Sequence, residues 1–336
     1  MNLSNLNEEQ ILDLRIRDLP VKIENTWLSE CINKLYEELQ LKNLLFRPSC
    51  YLADEWLTPE GEPIIGIPFY LADEALMRLE KKMMLEVEGG TKEWCMKLLR
   101  HETGHAINYA YQLFKKPKWK KVFGSPSATY ADTYRFRPYS KAFVRHLEDY
   151  YAQYHPDEDF AETFAVWLTP DSNWQNRYKN WKALKKLEYM DSLMNKIKKH
   201  PALVKKGKKY WQASRIKSTL KNYYKKRKNF SLEDFPDFHD TNLSKIFTAY
   251  TEETQKLPKA YDIINRYKKE ILNNVSAWTG EKKYIINDVL KNIKSRCKKL
   301  KLVSSKDETT IISKITAYIT TLVMNYLHTG RLKTRK

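Results

Sequence analysis

The sequence predicts an α+β domain over residues 1 to about 195 followed by an all-helical domain over 196–336, and three observations carry this reading. Two short segments rich in β-formers and bounded by Pro and Gly, FRPSCYLADEW and EPIIGIPFYLA, interrupt longer amphipathic stretches, which implies a small mixed sheet among helices. From Trp181 onward the pattern is mostly helical. The charge divides in the same place: residues 1–190 hold 26 Lys and Arg against 28 Asp and Glu, whereas 191–336 hold 34 against 13. With 336 residues and 42% hydrophobic content, the chain can form two cores.

Along the chain, Asn5 or Ser4 caps an N-terminal helix, and a second helix runs from about Asn25 to Leu41 through Trp27, Ile32, Leu35 and Leu39. Two strands follow. Pro68 has no amide to donate, so the second strand is expected at a sheet edge, where an extended peptide could pair along Ile64–Tyr70. The run WCMKLLRHETGHAINYAYQLF places Trp94, Leu98, His101 and His105 at helical spacing with no proline between Thr91 and Phe114, so it reads as one buried helix. KKPKWKKVFGSPSATYADTYRFRPYS is turn-rich and reads as a wrap around a cleft. Lys141–Tyr151 reads as a helix broken by His155-Pro156, and DEDFAETFAVWL begins another at Asp157.

No acidic residue lies between Asp191 and Glu233 while Lys and Arg recur, and this stretch is expected to mark the domain boundary. Within it Tyr210, Trp211, Tyr223 and Tyr224 read as one helix's buried face flanked by snorkelling lysines; stacking on bases is the other reading. Helices are expected at roughly 258–275, 284–301 and 308–327. The last carries Lys314 and is too short for a clean membrane span, so it reads as a core helix.

Cys31, Cys50, Cys95 and Cys297 form no CxxC pair and imply neither a zinc knuckle nor a disulfide framework. The polar, acidic N-terminus has no secretory pattern, so the expected location is cytoplasmic. The basic half is either a solvated lysine-rich surface or a field that attracts polyanions such as nucleic acid.

The chemistry sits in HETGH, residues 101–105. On a helix His101 and His105 lie four apart on one face, so their imidazoles reach one divalent cation, and Glu102 can accept a proton from water activated there. A chance HExxH in a chain this poor in His has odds of about one in a hundred. A catalytic zinc takes three protein donors and keeps one position open, so one donor is missing. HPDEDFAETFA is its best source. Glu158 and Glu162 share a helical face, which suits Glu158 as the third ligand and Glu162 as the carboxylate that orients a histidine ring, although an acid in a first helical turn also suits the helix dipole alone. By the same reasoning Asp157 and Asp159 are expected to serve the helix terminus, and His155 to cap it or lie exposed.

RHETGH followed by HPDEDFAETFAVWLTP resembles the bacterial family of zinc-binding metallopeptidases, and the likeness extends to FRPSCYLADEW, IPFYLADEALMRLEKKMMLEVEGGTKEWC, KLEYMD, VSAWTGE and YLHTGR. More distantly, the second helix is similar to that of the glutamate-ligand zincins (gluzincins), the anthrax lethal factor among them. The resemblance implies a zincin-like catalytic domain, a bound zinc ion (Zn2+), Glu158 as ligand and Glu162 in support. It also implies Tyr151, seven residues before Glu158, as a hydroxyl facing the metal that steadies the developing oxyanion. Unlike some relatives, this chain has no cysteine-rich zinc ribbon near its N-terminus.

The expected activity is therefore hydrolysis of peptide bonds in a peptide or protein substrate, with His101, His105 and Glu158 holding zinc, Glu102 as general base and Tyr151 assisting. Two alternatives stand beside it. One is a nucleic-acid-associated protease that uses the basic half; the other is a non-enzymatic, metal-dependent binding or regulatory protein.

Overall fold

A computed structural model describes residues 2–130, 137–147, 150–228, 238–305 and 307–329. Fourteen α-helices and four short strands are found among them. The chain forms two compact units, Met1–Lys82 with Val87–Tyr224, and Met83–Glu86 with Lys225–Lys336. Among the described residues, no helix is long and apolar enough to cross a membrane.

The first unit opens with α1 (Glu8–Asp13), capped by Asn7 rather than by Ser4 or Asn5: the Asn7 side chain accepts from Gln10 N while Gln10 reaches back to the Asn7 amide. Helix α2 (Trp27–Leu41) buries the stripe Leu28, Cys31, Ile32, Leu35 and Leu39. Strands β1 (Ser49–Ala53) and β2 (Ile64–Pro68) pair in parallel, Ser49 opposite Ile64 and Ala53 opposite Pro68. The chain then runs through α3 (Glu74–Met84), α4 (Lys92–Ala110), α5 (Pro117–Phe123), α6 (Pro156–Leu168), α7 (Trp174–Arg177), α8 (Ala183–Ile197) and α9 (Leu220–Arg227).

Pro68 ends β2, where a missing amide costs least, and β2 is an edge strand of the two-stranded sheet as Pro68 suggested, but its free side is occupied at Gly66. Leu57 turns back and exchanges two hydrogen bonds with Gly66, N to O at 3.2 and 2.8 Å, while β1 takes the other side. A peptide therefore cannot pair along Ile64–Tyr70 at Gly66. The expected helix Lys141–Tyr151 is also absent from its described part; residues 141–147 are turns and bends, residues 148 and 149 lie outside the described residues, and only the short 3-10 turn Tyr151–Gln153 follows. Within the turn-rich segment, α5 forms behind Pro117, and residues 131–136 lie outside the described residues.

The boundary between units falls after Tyr224, whereas the charge pattern placed it near 195. The basic stretch 198–219 is largely irregular and its backbone is tied into the first unit: Leu203 N and Val204 N donate to Ala110 O, Lys208 N to Glu62, and Ile16 N to Ser218 O. A run of lysines reports solvent-facing side chains, and says little about where the backbone is anchored. For the same reason the expected aromatic face is not one helix. Tyr224 is buried on α9, but Tyr210 and Trp211 lie in the irregular stretch, 36% and 59% exposed.

The second unit holds α10 (Asp240–Ile246), α11 (Ala260–Arg266), α12 (Lys268–Thr279), α13 (Lys283–Lys299) and α14 (Glu308–Thr329). It is not all-helical: Thr248–Ala249 (β3) and Leu302–Val303 (β4) form a two-residue antiparallel ladder. Its core joins Ile263, Ile271, Val275, Ile286 and Ile293 to Ile311, Ile315 and Ile319 of α14. Ile315 and Ile319 are fully buried, so Ile315→Ala is expected to cost about 2–5 kcal/mol, read as a lowered urea midpoint by far-UV circular dichroism.

Candidate metal centre

Helix α4 begins at Thr91, whose side chain caps Trp94 N at 3.3 Å, and every residue from His101 to Ala110 is buried. Helix α6 begins at Pro156, a proline placed where no amide is needed, and every residue from Asp157 to Leu168 is buried. His155 caps it, ring Nδ1 accepting from Asp157 N at 3.1 Å and Nε2 donating to Ala128 O at 2.8 Å. The two helices pack against each other, and Gly104 makes their approach possible: a Cβ there would lie 2.6 Å from Ala161 Cα. On its other side α4 is tied to α2 by Arg100, which donates from Nε and a terminal nitrogen to the two oxygens of Glu38 at 2.8 and 2.7 Å.

At this crossing three atoms converge. His101 Nε2 and His105 Nε2 are 3.2 Å apart, and Glu158 Oε2 stands 3.1 Å from the first and 3.2 Å from the second. Four bonds near 2.0–2.1 Å around a tetrahedral zinc separate its donors by about 3.3 Å, so this triangle fits one face of such a site and leaves a fourth corner. Among the described residues, it is the one His, Cys, Asp and Glu group found with metal-binding spacing.

The imidazoles are held from behind. Glu162 Oε1 lies 2.8 Å from His101 Nδ1, and its Oε2 accepts from Leu147 N at 2.9 Å. Asp157 Oδ2 lies 3.1 Å from His105 Nδ1, and Asp157 also accepts from Asn108 Nδ2 at 2.7 Å and Tyr109 OH at 2.5 Å. A proton on each Nδ1 facing its carboxylate leaves each Nε2 lone pair free to point into the triangle. Asp157 thus does more than serve the helix terminus. The signal for it was present but unread: Asn108 and Tyr109, three and four residues after His105, carry polar groups along the same buried face. Asp159 turns away to Lys186 at 2.5 Å.

Burial opposes charge on both rings, yet the carboxylates prevail. Glu158 and Glu162 push His101 up to about 9, and Glu158 and Asp157 hold His105 well above the usual imidazole range. Burial raises Glu102, only partly offset by the two imidazoles. Asp157, Glu158 and Glu162 all lie below the ordinary carboxylate range because the rings outweigh their burial. Four acids thus surround two imidazoles, and a divalent cation is the electrostatic complement of such a cluster.

Glu102 is buried beside His101, with its backbone carbonyl accepting from Thr58 Oγ1 at 3.1 Å. The Tyr151 ring lies 5.5 Å from that of His101, centroid to centroid. The structure also brings in Tyr130, which sequence reasoning missed; its hydroxyl donates to Glu158 Oε1 at 3.2 Å from an irregular segment with no periodicity to reveal it.

A buried helix pair that presents two imidazoles and a glutamate to one point is the arrangement of a mononuclear metal centre. Residues 65–198, which contain both helices, match the family model described as "Putative zinc-binding metallo-peptidase". The resemblance read from the two motifs is to that family, which is described as zinc-binding. The match does not reach FRPSCYLADEW, VSAWTGE or YLHTGR. Comparison with curated proteins and with solved structures gave no match.

Two outcomes are expected from this geometry. Gly104→Val forces α4 and α6 apart and abolishes metal uptake, measured by metal analysis of the purified variant. Asp157→Asn weakens zinc affinity about 10- to 100-fold, measured by competition with a chromophoric chelator.

Proposed function

We propose that this chain is a zinc-dependent peptidase in which the first unit carries catalysis and the second is an accessory unit. The observation that supports it most is the His101–His105–Glu158 triangle with Glu102 buried on α4, the helix that carries both histidines. A purely structural metal site has no need of an additional buried acid next to a ligand histidine in the chain.

In this reading His101 Nε2, His105 Nε2 and Glu158 Oε2 hold the ion, while Glu162 and Asp157 keep the two rings oriented. Bound zinc supplies Lewis acidity, which polarises the scissile carbonyl and lowers the pKa of water. The Glu102 carboxylate takes the proton from the attacking water and passes it to the leaving amine nitrogen. Burial raises its pKa above the ordinary carboxylate value, offset in part by the two imidazoles. The Tyr151 hydroxyl donates to the carbonyl oxygen as negative charge gathers there.

Glu102→Gln should keep its metal content and lose at least about 100-fold in turnover on denatured protein substrates. Full activity in that variant would remove Glu102 as the base. Chelation should abolish cleavage by the parent chain, and added zinc should restore it; a chain that takes up no metal would overturn the reading altogether.

A further inference from the structure

The two oxygens of Glu158 have different surroundings. Oε2 faces both imidazoles, at 3.1 and 3.2 Å, whereas Oε1 accepts from the Tyr130 hydroxyl at 3.2 Å. We propose that Tyr130 is a positioning residue of the metal centre, one that occupies Glu158 Oε1 so that the carboxylate offers the cation a single oxygen. This rests on the metal-centre reading above and deepens it.

The consequence lies in coordination number. A carboxylate that binds through both oxygens fills an additional position around the ion, and a hydrolytic centre needs that position for substrate and water. A hydroxyl bonded to one oxygen disfavours the two-oxygen mode, because binding would then have to break that hydrogen bond.

Tyr130 is held for the task by contacts with the start of α6. Its ring stacks on His155 with centroids 3.8 Å apart and planes 12° from parallel, and the Tyr154 ring stands 5.5 Å away. His155 is fixed in turn, because it caps α6 through Nδ1 and donates from Nε2 to Ala128 O, two residues before Tyr130. The cap that starts the helix carrying Glu158 is therefore also the platform for the residue that orients Glu158. At 47% exposure the Tyr130 ring is no part of the core, so removing its hydroxyl leaves packing intact.

The test compares the full-length parent chain with Tyr130→Phe, both stripped of metal and titrated with Co2+ and then with Zn2+. Tyr130→Phe should melt at the parent temperature without metal and lose visible d–d intensity per bound cobalt, the mark of a higher coordination number. Its zinc affinity should fall about 10- to 100-fold in chelator competition. A cobalt spectrum identical to that of the parent overturns the proposal, whatever the affinity. A parent chain that binds neither ion overturns this proposal together with the metal centre. A parent that binds both ions but cuts no peptide removes only the peptidase reading, and the spectra still decide the role of Tyr130.

Discussion

The approach of α4 to α6 at Gly104 and Ala161 is the constraint on which the site depends. Every donor in the centre comes from these two helices, and the side chains of His101, His105 and Glu158 meet only because the backbones come closer there than any side chain at 104 would allow. Both helices are buried through the segments that carry these groups, so the polar cluster lies in surroundings that screen little charge. An unpaired carboxylate there would be costly, and three of the four acids are held by named partners: Glu158 by the imidazoles and Tyr130, Glu162 by His101 and Leu147 N, Asp157 by His105, Asn108 and Tyr109.

This network has a direction. Acids on the outer side of each ring hold the Nδ1 atoms, and the Nε2 atoms are left facing a single oxygen. A ring free to rotate would present either nitrogen and lose entropy on binding an ion; a ring tied by its far nitrogen is already oriented. The surplus of carboxylate over imidazole charge makes the same point electrostatically, since the rings hold the acids low and the acids hold the rings high.

The second unit is built differently. Its core is a set of aliphatic residues on α11 to α14, with a two-residue ladder between β3 and β4, and its basic residues are mostly spread over exposed positions. The positive stretch that precedes it belongs structurally to the first unit, held by backbone bonds to the N-terminal segment and to the end of α4. Charge composition and domain membership are thus separate properties of this chain.

What the sequence determined by itself was local. Spacing of four on a helix needs no tertiary information, so His101 with His105, and Glu158 with Glu162, could be read directly, as could α2, α4, α6 and the two strands of the first unit, whose periods are strong. Where the period was weak, at 141–147, or where charge stood in for packing, at 198–219, the reading failed. The tertiary structure alone decided which acid meets which ring. Asp157 reaches His105 and Tyr130 reaches Glu158 because separate segments cross in space, and the rotation and separation of two helices are set by contacts such as Gly104 against Ala161 that no single helix encodes.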